Sequence, residues 1–171
     1  MSHKLLSEIS ERWTPQDGRC GRLVQRHIKP RVWHYEVALS DSWTISWGPK
    51  GGIWIAGPGR LKVRRIHLKC CNTPDIIHLP LPQIYTNLIG SVTTFHRKWL
   101  YGVHGWNCEH WARLVTTGKA KSYQVKEFGV DIVGARRNRV AESRLRKHIF
   151  ESRLRSFPDC DVRLFAGAFQ S

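Results

Sequence analysis

Val32-Trp33-His34-Tyr35-Glu36-Val37-Ala38-Leu39 is followed, after Ser40-Asp41-Ser42, by Trp43-Thr44-Ile45-Ser46-Trp47. β-Branched and aromatic side chains dominate both runs, and such side chains suit a pleated surface. The intervening Ser-Asp-Ser supplies turn residues. Alternation in the second run fits a returning strand, so the pair predicts a β-hairpin. Outward from it, Gly48-Pro49-Lys50-Gly51-Gly52 and Gly57-Pro58-Gly59 read as loops flanking a third strand, Ile53-Trp54-Ile55. Leu61 to Leu68 reads as a fourth strand with one basic face. Ahead of the hairpin, Leu5, Leu6 and Ile9 form a short helical stripe that stops at Trp13-Thr14-Pro15. Beyond the strands, Thr73 to Pro82 holds three prolines and is expected to be extended or looped. A helix is predicted from Gln83 to Leu100, with Tyr85, Leu88, Val92, Phe95 and Trp99 on one face. A second is predicted from Cys108 to Thr117, with Gly118 in the usual stop position. Strands first and helices after predict an α+β fold, an antiparallel sheet packed on helices.

The chain has 171 residues, enough for one domain plus an extension. A 41% hydrophobic content excludes wholesale disorder. Lys and Arg number 28 against 13 Asp and Glu, giving a formal charge of +15. That excess predicts attraction to polyanions, whether nucleic acid or an anionic membrane surface. The eight Trp should pack in the core or stack on a partner. Cys20, Cys70, Cys71, Cys108 and Cys160 are an odd set with an adjacent pair, a poor disulfide framework, so a reducing compartment is expected. Met1 to Ser10 lacks the apolar run of a signal peptide. No run of about 18 apolar residues predicts a transmembrane segment, so any membrane contact would be peripheral. The organisation is therefore an N-terminal segment (1–30), a core domain (31–123) and a basic C-terminal extension packing on it (124–171). Within the extension, Ala135 to Arg155 carries Arg136, Arg137, Arg139, Arg144, Arg146, Lys147, Arg153 and Arg155 against only Glu142 and Glu151. Val140, Leu145, Ile149 and Leu154 at helical spacing predict a basic helix there.

Cys108 lies in Trp106-Asn107-Cys108-Glu109-His110-Trp111. At a helix N-terminus the dipole and free N–H groups lower a thiol pKa and can donate to an oxyanion. A nucleophilic cysteine also needs a base within hydrogen-bond reach, and His34 on its strand is the best candidate. The competing reading is a small buried hydrophobe at 108 and a satisfied strand histidine at 34.

His34-Tyr35-Glu36-Val37-Ala38-Leu39 together with Asn107-Cys108-Glu109-His110-Trp111 resembles the H-box and NC motif of the lecithin:retinol acyltransferase-like family. That family includes cellular phospholipid acyltransferases and phospholipases, and H-box/NC proteins encoded by picornaviruses. The resemblance spans roughly residues 31–123. It implies a permuted papain-like (NlpC-type) core, with Cys108 as nucleophile and His34 as general base. It also implies a third polar residue about a dozen positions after the first histidine, where Ser46 stands. Thr44, His67 and His78 are alternatives. Cellular relatives often carry a C-terminal membrane helix, and a basic segment stands here instead. The resemblance is thus closest to the viral members, which implies a soluble protein of the host cytoplasm, or nucleus, that binds RNA and host proteins. The alternative is a working thiol acyltransferase or phospholipase.

No cofactor is expected. His67, Cys70, Cys71 and His78 offer zinc-ligand chemistry, but adjacent cysteines do not match common zinc spacings, and His104, Cys108 and His110 form a looser group. Polyanion contacts are expected at Arg60, Lys62, Arg64 and Arg65 and along Arg136, Arg137, Arg139, Arg144, Arg146 and Lys147. Trp43, Trp47 and Trp54 are candidates for base stacking, with core packing the commoner fate of such residues. The basic helix is equally suited to acidic lipid or an acidic protein surface.

Overall fold

A computed structural model describes residues 2–29, 32–50, 57–74, 76–94, 100–102 and 107–124. The elements in order are α1 (Ser2–Arg12), β1 (Leu23–Lys29), β2 (Val32–Ala38), β3 (Trp43–Pro49), β4 (Gly57–Arg65), β5 (Cys71–Asn72), α2 (Leu81–Thr94), β6 (Leu100–Tyr101) and α3 (Cys108–Thr117). The sheet order is β5-β1-β2-β3-β4-β6, and all pairings are antiparallel. The α+β class expected from the sequence is the class observed. The expected third strand at Ile53–Ile55 and the basic helix at 135–155 lie outside the described residues.

Alternation along the strands gives the sheet two different faces. Leu23, Tyr35, Val37, Leu39, Ile45 and Trp47 point to the helices and join Ile9, Ile84, Leu88, Trp111 and Leu114 in one core. Trp47 and Trp111 are almost fully buried, each burial contributing on the order of 3 kcal/mol. The other face carries Arg26, His34, Glu36, Thr44, Ser46 and Arg64, which bond to one another. β2 is central and buried on both sides from His34 onward, which explains its unbroken run of large residues.

Two features position the site. First, β2 and β3 pair only at Val37↔Ile45 and Ala38↔Thr44, whereas β3 and β4 pair from Trp43↔Arg65 to Pro49↔Gly59. Toward its start, β2 therefore presents backbone groups that β3 does not meet. Gln124 supplies two of them, its Oε1 accepting from Trp33 N (2.8 Å) and its Nε2 donating to Trp33 O (3.0 Å). Second, the segment after β4 returns to the far edge of the sheet, where Cys71–Asn72 pair with Val24 and Gln25. Buried Cys70 in that return lies within the field of Glu36, Arg26 and Arg64.

Three expectations need correcting. β1 was not foreseen, yet it sits inside the sheet between β5 and β2; its polar residues belong to the polar face, where Arg26 meets Glu36. The helix expected from Gln83 to Leu100 is described over Leu81–Thr94 and does not reach Leu100, since Leu100–Tyr101 pair with Gly57–Pro58 as a strand. The fourth strand covers Gly57–Arg65 rather than Leu61–Leu68, since the chain turns away there: Cys70 N–H donates to His67 O at 2.8 Å. The helix at 108–117 is as expected, with Gly118 at φ 75° donating its N–H to Leu114 O (3.0 Å).

Candidate functional site

Glu36 is the hub of the polar face. It is 1% exposed, accepts from Arg26 Nε (3.2 Å) and the Thr44 hydroxyl, and is ion-paired with Arg64 Nη2 at 2.9 Å. A carboxylate so deeply buried requires this company, since an unpaired charge there would be costly. Arg64 Nη2 also donates to Ser46 Oγ (2.9 Å) and His34 Nε2 (2.5 Å).

This arrangement fixes the state of His34. Its Nε2 accepts from a guanidinium, which cannot be deprotonated, so the ring is neutral with its proton on Nδ1. Burial depresses the imidazole to about pKa 4; Glu36 opposes the shift, and Arg64 and Arg26 reinforce it. The lone pair a general base would use is held by Arg64.

Cys108 is the first residue of α3, as its position in the sequence suggests, but the consequence differs from the expectation. Burial pushes its thiol up to about pKa 11, outweighing the N–H groups of Tyr35 and Glu109 and the Tyr101 hydroxyl, all of which favour the thiolate. Two of the N-terminal donors of α3 are committed to its cap rather than to an oxyanion: Asn107 Oδ1 accepts from Glu109 N (3.0 Å) and His110 N (3.2 Å). His110 Nδ1 in turn accepts from Asn107 N (3.4 Å), completing a capping box. The Cys108 thiol takes the Tyr35 N–H beside the incomplete β2–β3 ladder and lies 3.9 Å from the Tyr101 hydroxyl. Burial raises the Tyr101 hydroxyl, which stays a donor.

His34 and Cys108 thus serve different networks. Among the described residues no hydrogen bond joins them: His34 is held by Arg64, Cys108 by Tyr35 and Tyr101. Of the candidates for a third polar residue, Ser46 and Thr44 belong to the Glu36–Arg64 network. His78 instead accepts from Leu23 N (3.0 Å), and His67 from Lys69 N (3.1 Å). The four zinc-ligand candidates do not converge, and among the described residues no group of three or more His, Cys, Asp or Glu is placed to hold a metal. His104 lies outside the described residues.

A cavity of about 220 Å³ opens on the polar face, lined in part by Arg26, Ile28, His34, Ser46, Arg60, Lys62, Arg64 and Tyr101. Tyr101 lines it and also reaches Cys108, so it borders both the cavity and the thiol. Arg60, Lys62 and Arg64 alternate along β4 onto this side. Arg65, expected beside them, falls on the other face, with its guanidinium 5.2 Å from the Trp43 ring; Arg12 lies 4.3 Å from the same ring. Of the tryptophans weighed for base stacking, Trp47 is core, Trp43 lies between these arginines, and Trp54 is outside the described residues. Arg136, Arg137, Arg139, Arg144, Arg146 and Lys147 are outside them too.

Sequence reasoning missed Glu36, Arg26 and Tyr101 as members of the site. Glu36 was legible, because residues i and i+2 of a strand share a face. Arg26 and Tyr101 were not, since each reaches the site through a strand that the sequence did not announce.

The molecule is thus an α+β protein with a helix-covered apolar sheet face and a basic polar one. No helix among the described residues is long and apolar enough to cross a membrane. No family model matches the chain, and no curated protein or solved structure is significantly similar to it.

Proposed function

We propose that this chain is a binding protein for polyanions, RNA foremost, built on an H-box/NC-type permuted papain-like core that has given up its thiol chemistry. The observation that carries this reading is the convergence of Arg26, Arg60, Lys62 and Arg64 on one cavity around a histidine whose basic nitrogen Arg64 already occupies. The four cationic side chains of the cavity lining suit phosphate. The basic segment from Arg136 to Lys147 extends the same chemistry. Host proteins with acidic surfaces are the second partner class, and the viral kinship rests on the motif resemblance.

The test is fluorescence anisotropy of a single-stranded RNA against the full chain across a salt series. Engagement of three or four phosphates predicts a slope of log K on log salt of about −2 to −3, and Arg60→Ala with Lys62→Ala reduces its magnitude by about 1.4. Affinity indifferent to salt and to both substitutions would refute the reading.

One observation favours the acyltransferase or phospholipase alternative: Cys108 heads α3 and receives the Tyr35 N–H. That mechanism requires Arg64 to leave His34 and the thiol to become accessible. Thiol titration decides between the two readings.

A further inference from the structure

The geometry points to a site for a phosphate monoester in the sheet-face cavity, one that takes a terminal phosphate in preference to a phosphodiester within a strand. This deepens the polyanion reading and rests on it for the nature of the strand.

Charge is the first argument. The described lining contains four cationic side chains and no carboxylate, and Glu36, behind them, offsets one of these charges. An internal phosphodiester brings a single negative charge. A monoester brings nearly two at neutral pH and three acceptor oxygens, a closer match to what the cavity leaves unneutralised.

Donors already aimed are the second. Arg64 spends Nη2 on Glu36, Ser46 and His34, while its Nη1 is neither buried nor partnered among the described residues. Arg26 is likewise pinned through Nε, leaving its terminal nitrogens uncommitted there. Guanidinium forks held in place this way bind phosphate with less ordering cost than mobile ones. Ser46 is 4% exposed and lines the cavity, and its oxygen accepts from Arg64. Its own hydroxyl proton has no acceptor among the described residues, an unusual state for a buried donor. Arg60 and Lys62 are exposed and make no ion pair among the described residues.

Size is the third. At about 220 Å³ the cavity falls below the roughly 300–1,000 Å³ of drug-sized ligand sites, so it holds a group rather than a whole ligand.

The experiment compares two RNAs of one short sequence, one bearing a 5′-phosphate and one a 5′-hydroxyl, by anisotropy on the full chain at fixed salt. Inorganic phosphate and a small phosphate monoester are added as competitors and, separately, as stabilisers in thermal unfolding. The expected result is about tenfold tighter binding of the phosphorylated strand. Millimolar monoester should erase that preference. Lys62→Ala and Ser46→Ala should each reduce it, and Arg65→Ala, on the opposite face, should leave it intact. Equal binding of both strands would overturn the phosphate site while sparing RNA binding. Stabilisation by free monoester with neither RNA bound would uphold the site and overturn the RNA reading. No binding and no stabilisation would overturn both.

Discussion

The state of Cys108 separates the two functional readings, and the structure gives it a size. With the thiol at about pKa 11, its thiolate fraction at pH 8 is about 0.001. A free cysteine of pKa about 8.5 is about 0.24 thiolate at the same pH. Ionisation alone therefore predicts alkylation slower than a small reference thiol by roughly 200-fold. Burial at 3% exposure adds the cost of opening the core. The assay is iodoacetamide labelling from pH 7 to 10, with the Cys108 peptide quantified by mass spectrometry. The logarithm of the rate should climb with unit slope to pH 10 and show no plateau. His34→Ala should not slow it, because the imidazole is committed to Arg64. A plateau at or below pH 8 that disappears in His34→Ala would refute this reasoning. It would mean the pair assembles in solution, and acyl esters and phospholipids would become the substrates to screen.

His34 also makes folding stability depend on pH. Its folded pKa is lowered from 6.5 to about 4, so between those values the unfolded chain binds the proton more readily. The contribution is intact above pH 6.5 and lost as pH falls toward 4, on the order of 3 kcal/mol for 2.5 units. Urea midpoints measured across pH 4–7 should show this loss, and His34→Gln should flatten it; parallel curves for the two proteins would contradict the assignment. Asn107 caps α3 and also donates from Nδ2 to Ser122 Oγ at 3.2 Å, so Asn107→Ala should cost about 1–2 kcal/mol and lower Tm by about 3–6 °C. Asn107→Ser keeps a capping oxygen and should recover part of the loss, whereas an unchanged Tm in Asn107→Ala would remove the cap from the account.

Local signals were readable where local chemistry decides the outcome. The hairpin at Val32–Trp47 followed from branched and aromatic alternation, and the end of α3 from Gly118, whose φ of 75° suits glycine. The helix-start position of Cys108 was legible for the same reason. Its reactivity was not, because that depends on what covers it. Helix position and neighbouring N–H groups favour a thiolate, and burial outweighs them. β1 escaped because its residues answer to a tertiary partner: Arg26 in a strand looks like a solvated charge until Glu36 is placed diagonally across from it on β2. Tyr101 escaped because a two-residue strand carries no periodicity to detect.

Arg64 sets the two proposed roles of the site against each other. A general base at His34 needs an unoccupied Nε2 and a proton acceptor's pKa near neutrality. The network denies both, through a guanidinium 2.5 Å away and a ring depressed to about 4. The proposed phosphate site draws on the same guanidinium, whose Nη2 meets the buried Glu36, Ser46 and His34 while Nη1 has no partner among the described residues. A lysine at 64 has one nitrogen and cannot do both at once. Swinging Arg64 outward to release His34 would remove one of the two charge partners of a carboxylate that is 1% exposed, at a cost of several kcal/mol. A neutral, occupied His34 is therefore the low-energy state of this sheet face, and it is the ground for proposing a binding role ahead of thiol chemistry.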